Sequence, residues 1–305
     1  MIRVTFLGTA ASRPTVGRNV SAIMVQREGE SFLFDCGEGT QRQMMRFGTG
    51  FTVGDVFFTH LHADHYLGII GLLRTMGLQG REEPVRLWSP AGGAGILRDA
   101  VHLGNERVPF EVEITELEPG GAVARPDFDI VAYRSHHGRS LGFALVEHDR
   151  LGRFDPDRAR ELGVPEGPLF GRLHRGEDVD VGGVTVRASD LVGPPRPGRR
   201  VVFSGDTRPC RETVDIARRA DLLVHDATFT HDEAARARET QHSTAREAAD
   251  VARRAGARRL VLTHISARYA DDPRVLEREA RDVFPGAIVA HDGLTLEVPH
   301  PDGPS

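Results

Sequence analysis

The chain has 305 residues, 39% of them hydrophobic and 27% charged, with a formal net charge of −5. That length suits one large α/β domain or two ordinary ones, each with a substantial core. No apolar run approaches the roughly 20 residues that cross a bilayer, and the first residues lack a basic segment leading into an apolar signal core, so a cytoplasmic protein without a membrane partner is expected.

In chain order, strands are predicted at 2–8, 21–26, 31–35, 55–59, 129–134, 141–147, 184–188, 200–205, 221–225, 259–263 and 294–298. Helices are predicted at 40–47, 66–78, 96–103, 211–220, 244–255 and 273–284. Ser243 is the expected cap of the helix from 244, with an imperfect capping box because Arg246 stands three residues on and Glu247 only after it. Many short strands with helices in both halves suggest two packed sheets covered by helices. The segment 149–181, containing FDPDRARELGVPEGPLFGRLHRG, is rich in Pro, Gly and Arg and separates two strand regions. It reads as an arm inserted in a single domain spanning 1–305.

Negative net charge argues against broad nucleic-acid affinity, which arises from neutralising phosphates; a nucleic-acid reader would have to concentrate positive charge locally. Every one of the 39 basic residues is arginine. Cys36 and Cys210, the only cysteines, form no CxxC pair and are expected as free thiols.

The strongest chemical signal is Thr59-His60-Leu61-His62-Ala63-Asp64-His65, directly after an apolar strand. In an extended loop, positions 60, 62 and 64 share a side, and His65 opens the next helix within reach of the same point. Zinc takes imidazole and carboxylate ligands, and a catalytic site leaves a position for water. Two such ions can clamp a phosphoryl group from both sides. Further ligands stand downstream: Asp206 in VVFSGDT and His264 in LVLTHIS end apolar strands, and the adjacent His136 and His137 lie in YRSHHGRSLGF.

The HxHxDH loop followed by separate His, Asp and His positions resembles the metallo-β-lactamase superfamily, which implies a four-layer αββα sandwich. Within it, LFDCGEGTQRQ (33–43), LVHDATF (223–229), QHST (241–244), SRPTVGRNVSAI (12–23) and GVPEGPLFGRL (163–173) resemble the motifs of the ribonuclease Z family. The resemblance runs from Met1 to about Val298 and implies two Zn2+ per subunit, with Mn2+ or Fe2+ as substitutes. One zinc would take His60, His62 and His136, the other Asp64, His65 and His264, with Asp206 bridging. In the family the ligand histidine stands six residues before the glycine of a Gly-Phe or Gly-Tyr pair; Gly142-Phe143 then selects His136 and leaves His137 as a neighbouring polar contact. Asp35 would orient a ligand histidine.

The same resemblance places His242 near the scissile phosphate as a proton or hydrogen-bond donor, tuned by Asp226, which stands where the family usually carries Glu. Asp64 would also orient the attacking water and take its proton. Arg18 and Asn19 would lie near the RNA, with Val16 at a position often basic in the family. Gly167 and Pro168 would form the tip of an arm that grips tRNA, helped by Arg172 and Arg175; from 150 to 176 six arginines face four carboxylates, a modest excess suited to phosphate contacts positioned by shape. The implied activity is a homodimeric endoribonuclease that removes 3′ trailers from precursor tRNA, leaving a 3′-hydroxyl on the tRNA and a 5′-phosphate on the trailer. The alternative is a small-molecule phosphodiesterase or other hydrolase of the superfamily.

Overall fold

A computed structural model of the chain describes residues 1–105 and 107–301; the last four positions of the expected 1–305 domain lie outside the described residues. Two compact units are present, one formed by 1–146 with 200–299 and the other by 147–199 with 300 and 301.

The larger unit is built on two seven-stranded sheets. The first contains β1 (Ile2–Gly8), β2 (Ala22–Arg27), β3 (Glu30–Phe34), β4 (Asp55–Phe57), β5 (Val85–Pro90) and β6 (Val112–Leu117) in sequential order, with β16 (Thr295–Val298) on the outer side of β1. The second runs β15 (Ala287–Val289), β14 (Leu260–Thr263), β13 (Leu222–Asp226), β12 (Arg200–Phe203), β9 (Leu141–Glu147), β8 (Phe128–Arg134) and β7 (Ala122–Ala124).

Alternate residues of the strands supply the facing surfaces, as a period of two requires. Val4, Phe6, Val25, Phe32, Phe34 and Phe57 of the first sheet share one buried cluster with Phe143, Leu145, Val201, Phe203 and Val224 of the second. Phe34 is its pivot, with its ring stacked on Phe203 at 4.3 Å between centroids and on Phe57 at 5.3 Å.

The outer faces are covered by helices. Ile69, Leu72, Leu73 and Met76 of α3 (Gly68–Leu78) recur at helical spacing and close over the first sheet with Met44 of α1 (Thr40–Phe47) and Leu97 of α4 (Ala94–Val101). Ala245, Ala248, Ala249, Ala252 and Ala255 of α9 (Ala245–Ala255) close over the second sheet together with α10 (Arg274–Arg281). The result is the four-layer αββα arrangement. Thr244, rather than Ser243, caps α9. Its hydroxyl accepts from Glu247 N and the Glu247 carboxylate accepts from Thr244 N, so the capping box is complete one residue later than expected.

Parallel pairing decides where the chemistry goes. Strands β12, β13 and β14 run parallel, as do β3, β4 and β5, so residues just past their C-terminal ends emerge at a common edge of each sheet, where α/β folds build sites. The predicted strand 184–188 belongs elsewhere. In the smaller unit β11 (Val184–Val186) pairs with β10 (Val179–Val181) in a hairpin of its own, and Ala159, Val164, Leu173, Val179 and Val186 form a separate small core with α5 (Pro156–Glu161) and α6 (Pro168–His174). The unit therefore extends to 199, beyond the expected limit of 181. Among the described residues, no helix is long and apolar enough to cross a membrane.

Phe34→Ala should destabilise the protein by about 3–5 kcal/mol, the usual cost of emptying a packed aromatic site. Urea unfolding followed by circular dichroism checks this, and a loss below about 1 kcal/mol would show that the inter-sheet core does not turn on this ring.

Candidate metal centre

The ligand loops are held by two buried carboxylates, one from each sheet. Asp35 follows β3 at a positive φ of 58°, a conformation costly for a residue other than glycine and frequent at functional sites. Its Oδ1 accepts from Thr59 N at 2.8 Å, and its Oδ2 lies 2.7 Å from His65 Nδ1. The Thr59 hydroxyl donates to Asp35 and lies 3.0 Å from His60 Nδ1. Having given its single proton to the carboxylate, that hydroxyl can only accept from the imidazole. The loop's helical exit packs backbone on backbone against the Asp35 turn: a Cβ on Gly68 would lie 2.0 Å from Gly37 O.

Asp226, at the end of β13, repeats the device. Its Oδ2 lies 2.9 Å from His242 Nδ1, its Oδ1 accepts the Thr228 hydroxyl at 2.7 Å, and that hydroxyl lies 2.9 Å from His264 Nδ1. Sequence reasoning found Asp35 and Asp226 but missed Thr59 and Thr228. A threonine directly before a ligand histidine, or two residues after a strand-end aspartate, is the only local signal of them.

These contacts fix the tautomers. His60, His65 and His264 each spend the Nδ1 proton on a threonine or carboxylate oxygen, and His137 spends its own on Gln241 O at 3.0 Å. In each neutral ring the lone pair is then on Nε2. The atoms left over converge: His60 Nε2, His137 Nε2 and His62 Nδ1 form one group, and His65 Nε2, His264 Nε2 and an Asp64 carboxylate oxygen form another. Asp206 Oδ2 stands between them, 3.6 Å from His60, 3.3 Å from His65, 3.3 Å from His264 and 4.0 Å from His137. Asp64 is fixed by Ser12 N, which donates to its Oδ2 at 2.7 Å. Ser12, Gln241 and His264 share the positive φ of Asp35, so four strained residues surround one centre.

Charge follows this geometry. Burial pushes the His60 imidazole well below its ordinary range, with the neighbouring His65 adding to the effect. Burial alone would raise Asp206, but His264, His65 and His60 hold it well below the usual carboxylate range. His242 is opposed by burial, yet the charge and hydrogen bond of Asp226, with Asp206 behind, lift it to about 9. A cavity of about 500 Å³ lined by His60, His62, Pro90, Gly92, His137 and Gln241 opens beside the cluster.

Sequence profiles agree with the layout. The model described as beta-lactamase superfamily domain matches residues 170–265, and that described as anti-Pycsar protein Apyc1 matches residues 2–100. The ribonuclease Z of Gemmatimonas aurantiaca is 60% identical over 299 residues, covering 97% of this chain and 95% of its own length. That of Myxococcus xanthus is 57% identical, covering 98% of each. The chain belongs to the ribonuclease Z family. Human tRNase Z, short form, superposes with a TM-score of 0.70 at 27% identity, covering 97% of this chain and 99% of that one. The metallo-β-lactamase fold protein YhfI of Bacillus subtilis, at 18% identity and a TM-score of 0.69 with coverage of 97% and 98%, shares the fold.

Against the ribonuclease Z motifs, three expectations need correction. His137, not His136, joins His60 and His62. His136 is exposed and pairs with Glu212, its Nε2 3.3 Å from Oε2, because His137 is drawn inward by Gln241 O and by Ser140, whose hydroxyl accepts from His137 N. Arg18 is not a free cation for RNA: its guanidinium is buried and donates to Thr9 Oγ1 at 2.7 Å and Ala290 O at 2.6 Å. Asn19 is likewise engaged, donating from Nδ2 to Glu38 O and from its backbone to Asp292. In the smaller unit, Gly167 precedes α6 at φ 128° with Pro168 at the first helical turn, and Arg172 and Arg175 both reach Glu177 on the surface.

Removing either hydroxyl relay should loosen the centre without emptying it. Thr228→Val is expected to weaken metal binding about 10–100-fold, the usual effect of losing a ligand's supporting partner, with Thr228→Ser restoring it. Competition against a chromophoric chelator measures this; unchanged affinity in the valine variant would deny the relay a role.

Proposed function

We infer that this chain is a metal-dependent endoribonuclease that removes 3′ trailers from precursor tRNA. The reading is carried by one observation: in a chain of the ribonuclease Z family, His60, His62 and His137 on one side, and Asp64, His65 and His264 on the other, converge on Asp206.

The residues fit a pair of divalent ions. His65 Nε2 and His264 Nε2 are buried and make no hydrogen bond. His62 Nδ1 sits 2.9 Å from His60 Nε2 and 3.3 Å from His137 Nε2, two atoms that face it with lone pairs, so a single proton on His62 could satisfy only one of them. Lone pairs gathered this closely, with every member except His62 and Asp64 buried, call for cations. We assign one ion to His60, His62 and His137, the other to Asp64, His65 and His264, with Asp206 shared. Imidazole and carboxylate donors in this number suit zinc, with Mn2+ or Fe2+ as substitutes. Divalent ions held there would supply Lewis acidity, bringing the pKa of water down to about 7 and offsetting charge on phosphoryl oxygens.

The chain's own groups do the rest. Asp64, pinned by Ser12 N, orients the attacking water at one side of the cluster and takes up its proton. His242 enters as an imidazolium, because Asp226 holds its Nδ1 proton and raises its pKa. Its Nε2 proton is then available to the departing 3′ oxygen, which leaves as the hydroxyl of the tRNA while the phosphate stays on the trailer. Arg172 and Arg175 of the smaller unit are assigned to phosphates of the tRNA, their surface pairing with Glu177 being weak enough to exchange. The reading includes a homodimer acting in the cytoplasm.

Incubation of the zinc-loaded protein with a 3′-extended precursor tRNA should give cleavage beside the discriminator nucleotide, abolished by chelator and by Asp64→Ala; intact precursor under folding conditions would sink the assignment. His242→Ala should lower kcat about 10²–10⁴-fold, the range for a positioned general acid, with metal content unchanged. Arg172→Ala combined with Arg175→Ala should raise KM for precursor tRNA and leave hydrolysis of bis(p-nitrophenyl) phosphate unaltered. Equal losses on both substrates would favour a small-molecule phosphodiesterase.

A further inference from the structure

The residue displaced from the catalytic cluster has found other company. His136, Cys210 and Glu212 each offer a ligand atom within 4.8 Å of the others. His136 and Glu212 are 46% and 42% exposed, so solvent reaches the group from one side. Cys210 closes the other side, buried and free of any disulfide, with its sulfur 3.1 Å from Thr213 Oγ1. Thiolate, imidazole and carboxylate together form a three-donor set that zinc accepts in tetrahedral geometry, with water in the fourth position. Sulfur makes this group chemically distinct from the catalytic cluster, which holds only nitrogen and oxygen donors.

Position gives the group a purpose. His136 N donates to Thr207 Oγ1 at 2.8 Å, and Arg208 N donates to His136 O at 3.2 Å. The loop carrying His137 is thereby joined to the loop carrying Asp206, and Cys210 and Glu212 continue that second loop into α7 (Arg211–Ile216). An ion bound by side chains from both loops would tie them together from the outer side, one residue from His137 and four from Asp206.

We propose that His136, Cys210 and Glu212 form an additional site for a thiophilic divalent ion of the zinc class, which clasps the His137 loop to the Asp206 loop and stabilises their pairing. The site is separate from the catalytic ions and does not depend on the RNA-cleaving activity.

Cobalt titration of the metal-free full chain tests it, because a sulfur-to-cobalt charge-transfer band in the near ultraviolet reports thiolate ligation. Cys36, the other cysteine, is fully buried and its thiol is pushed far up by burial, so the band reports Cys210. The wild-type chain should show the band and bind one Co2+ more per chain than Cys210→Ser, in which both the band and the extra ion are lost. His136→Ala, a change at an exposed side chain, should lose the extra ion too, while Cys36→Ala keeps it. The extra equivalent should also raise the melting temperature of the wild type and leave that of His136→Ala unmoved. No band at saturating Co2+, or a band and stoichiometry unchanged in Cys210→Ser, would overturn the proposal.

Discussion

Two buried carboxylates, Asp35 and Asp226, organise the catalytic edge of this molecule. Each binds one imidazole directly and a second through a threonine hydroxyl. Because a hydroxyl that donates to a carboxylate must accept from the ring behind it, the arrangement dictates the protonation pattern of three candidate ligand histidines and of His242. Gln241 O does the same for His137. The cost appears as positive φ at Asp35, Gln241 and His264, and the return is a set of lone pairs aimed at a common centre with little freedom left to lose when ions bind.

That centre exists only because of the sheets behind it. Asp35 and His60 follow neighbouring parallel strands of one sheet, and Asp206 and His264 follow, and Asp226 ends, neighbouring parallel strands of the other. The aromatic packing of Phe34 on Phe203 and Phe57 sets those two edges side by side. Fold and chemistry are therefore coupled through a few strand ends, and RNA cleavage is the use to which a chain of this family puts them.

Much of this was legible in the sequence because the signals are local. The HxHxDH loop after an apolar strand, and Asp206 and His264 at the ends of others, mark candidate ligands by residue type and position, and the family resemblance groups them. His137 was not legible, since its selection over His136 depends on the carbonyl of Gln241, about a hundred residues away in sequence. Arg18 misled for the opposite reason: a loop arginine reads as an exposed cation, whereas its partners Thr9 and Ala290 draw it inward. Strands β6 and β15 escaped notice because edge position leaves their residues only partly buried, so their hydrophobic pattern is diluted, whereas β5, though mostly buried, mixes Arg86, Ser89 and Pro90 into its run. The hairpin β10–β11 shows that a segment can be a strand and still belong to another unit.

The tautomer pattern underlies the whole cluster, and long-range 1H–15N correlation spectra of the zinc-loaded, histidine-labelled chain read it directly. Protons on Nδ1 and coordination through Nε2 are expected for His60, His65, His137 and His264, with the reverse assignment for His62. Nε2-protonated rings at His60 and His264 would contradict it.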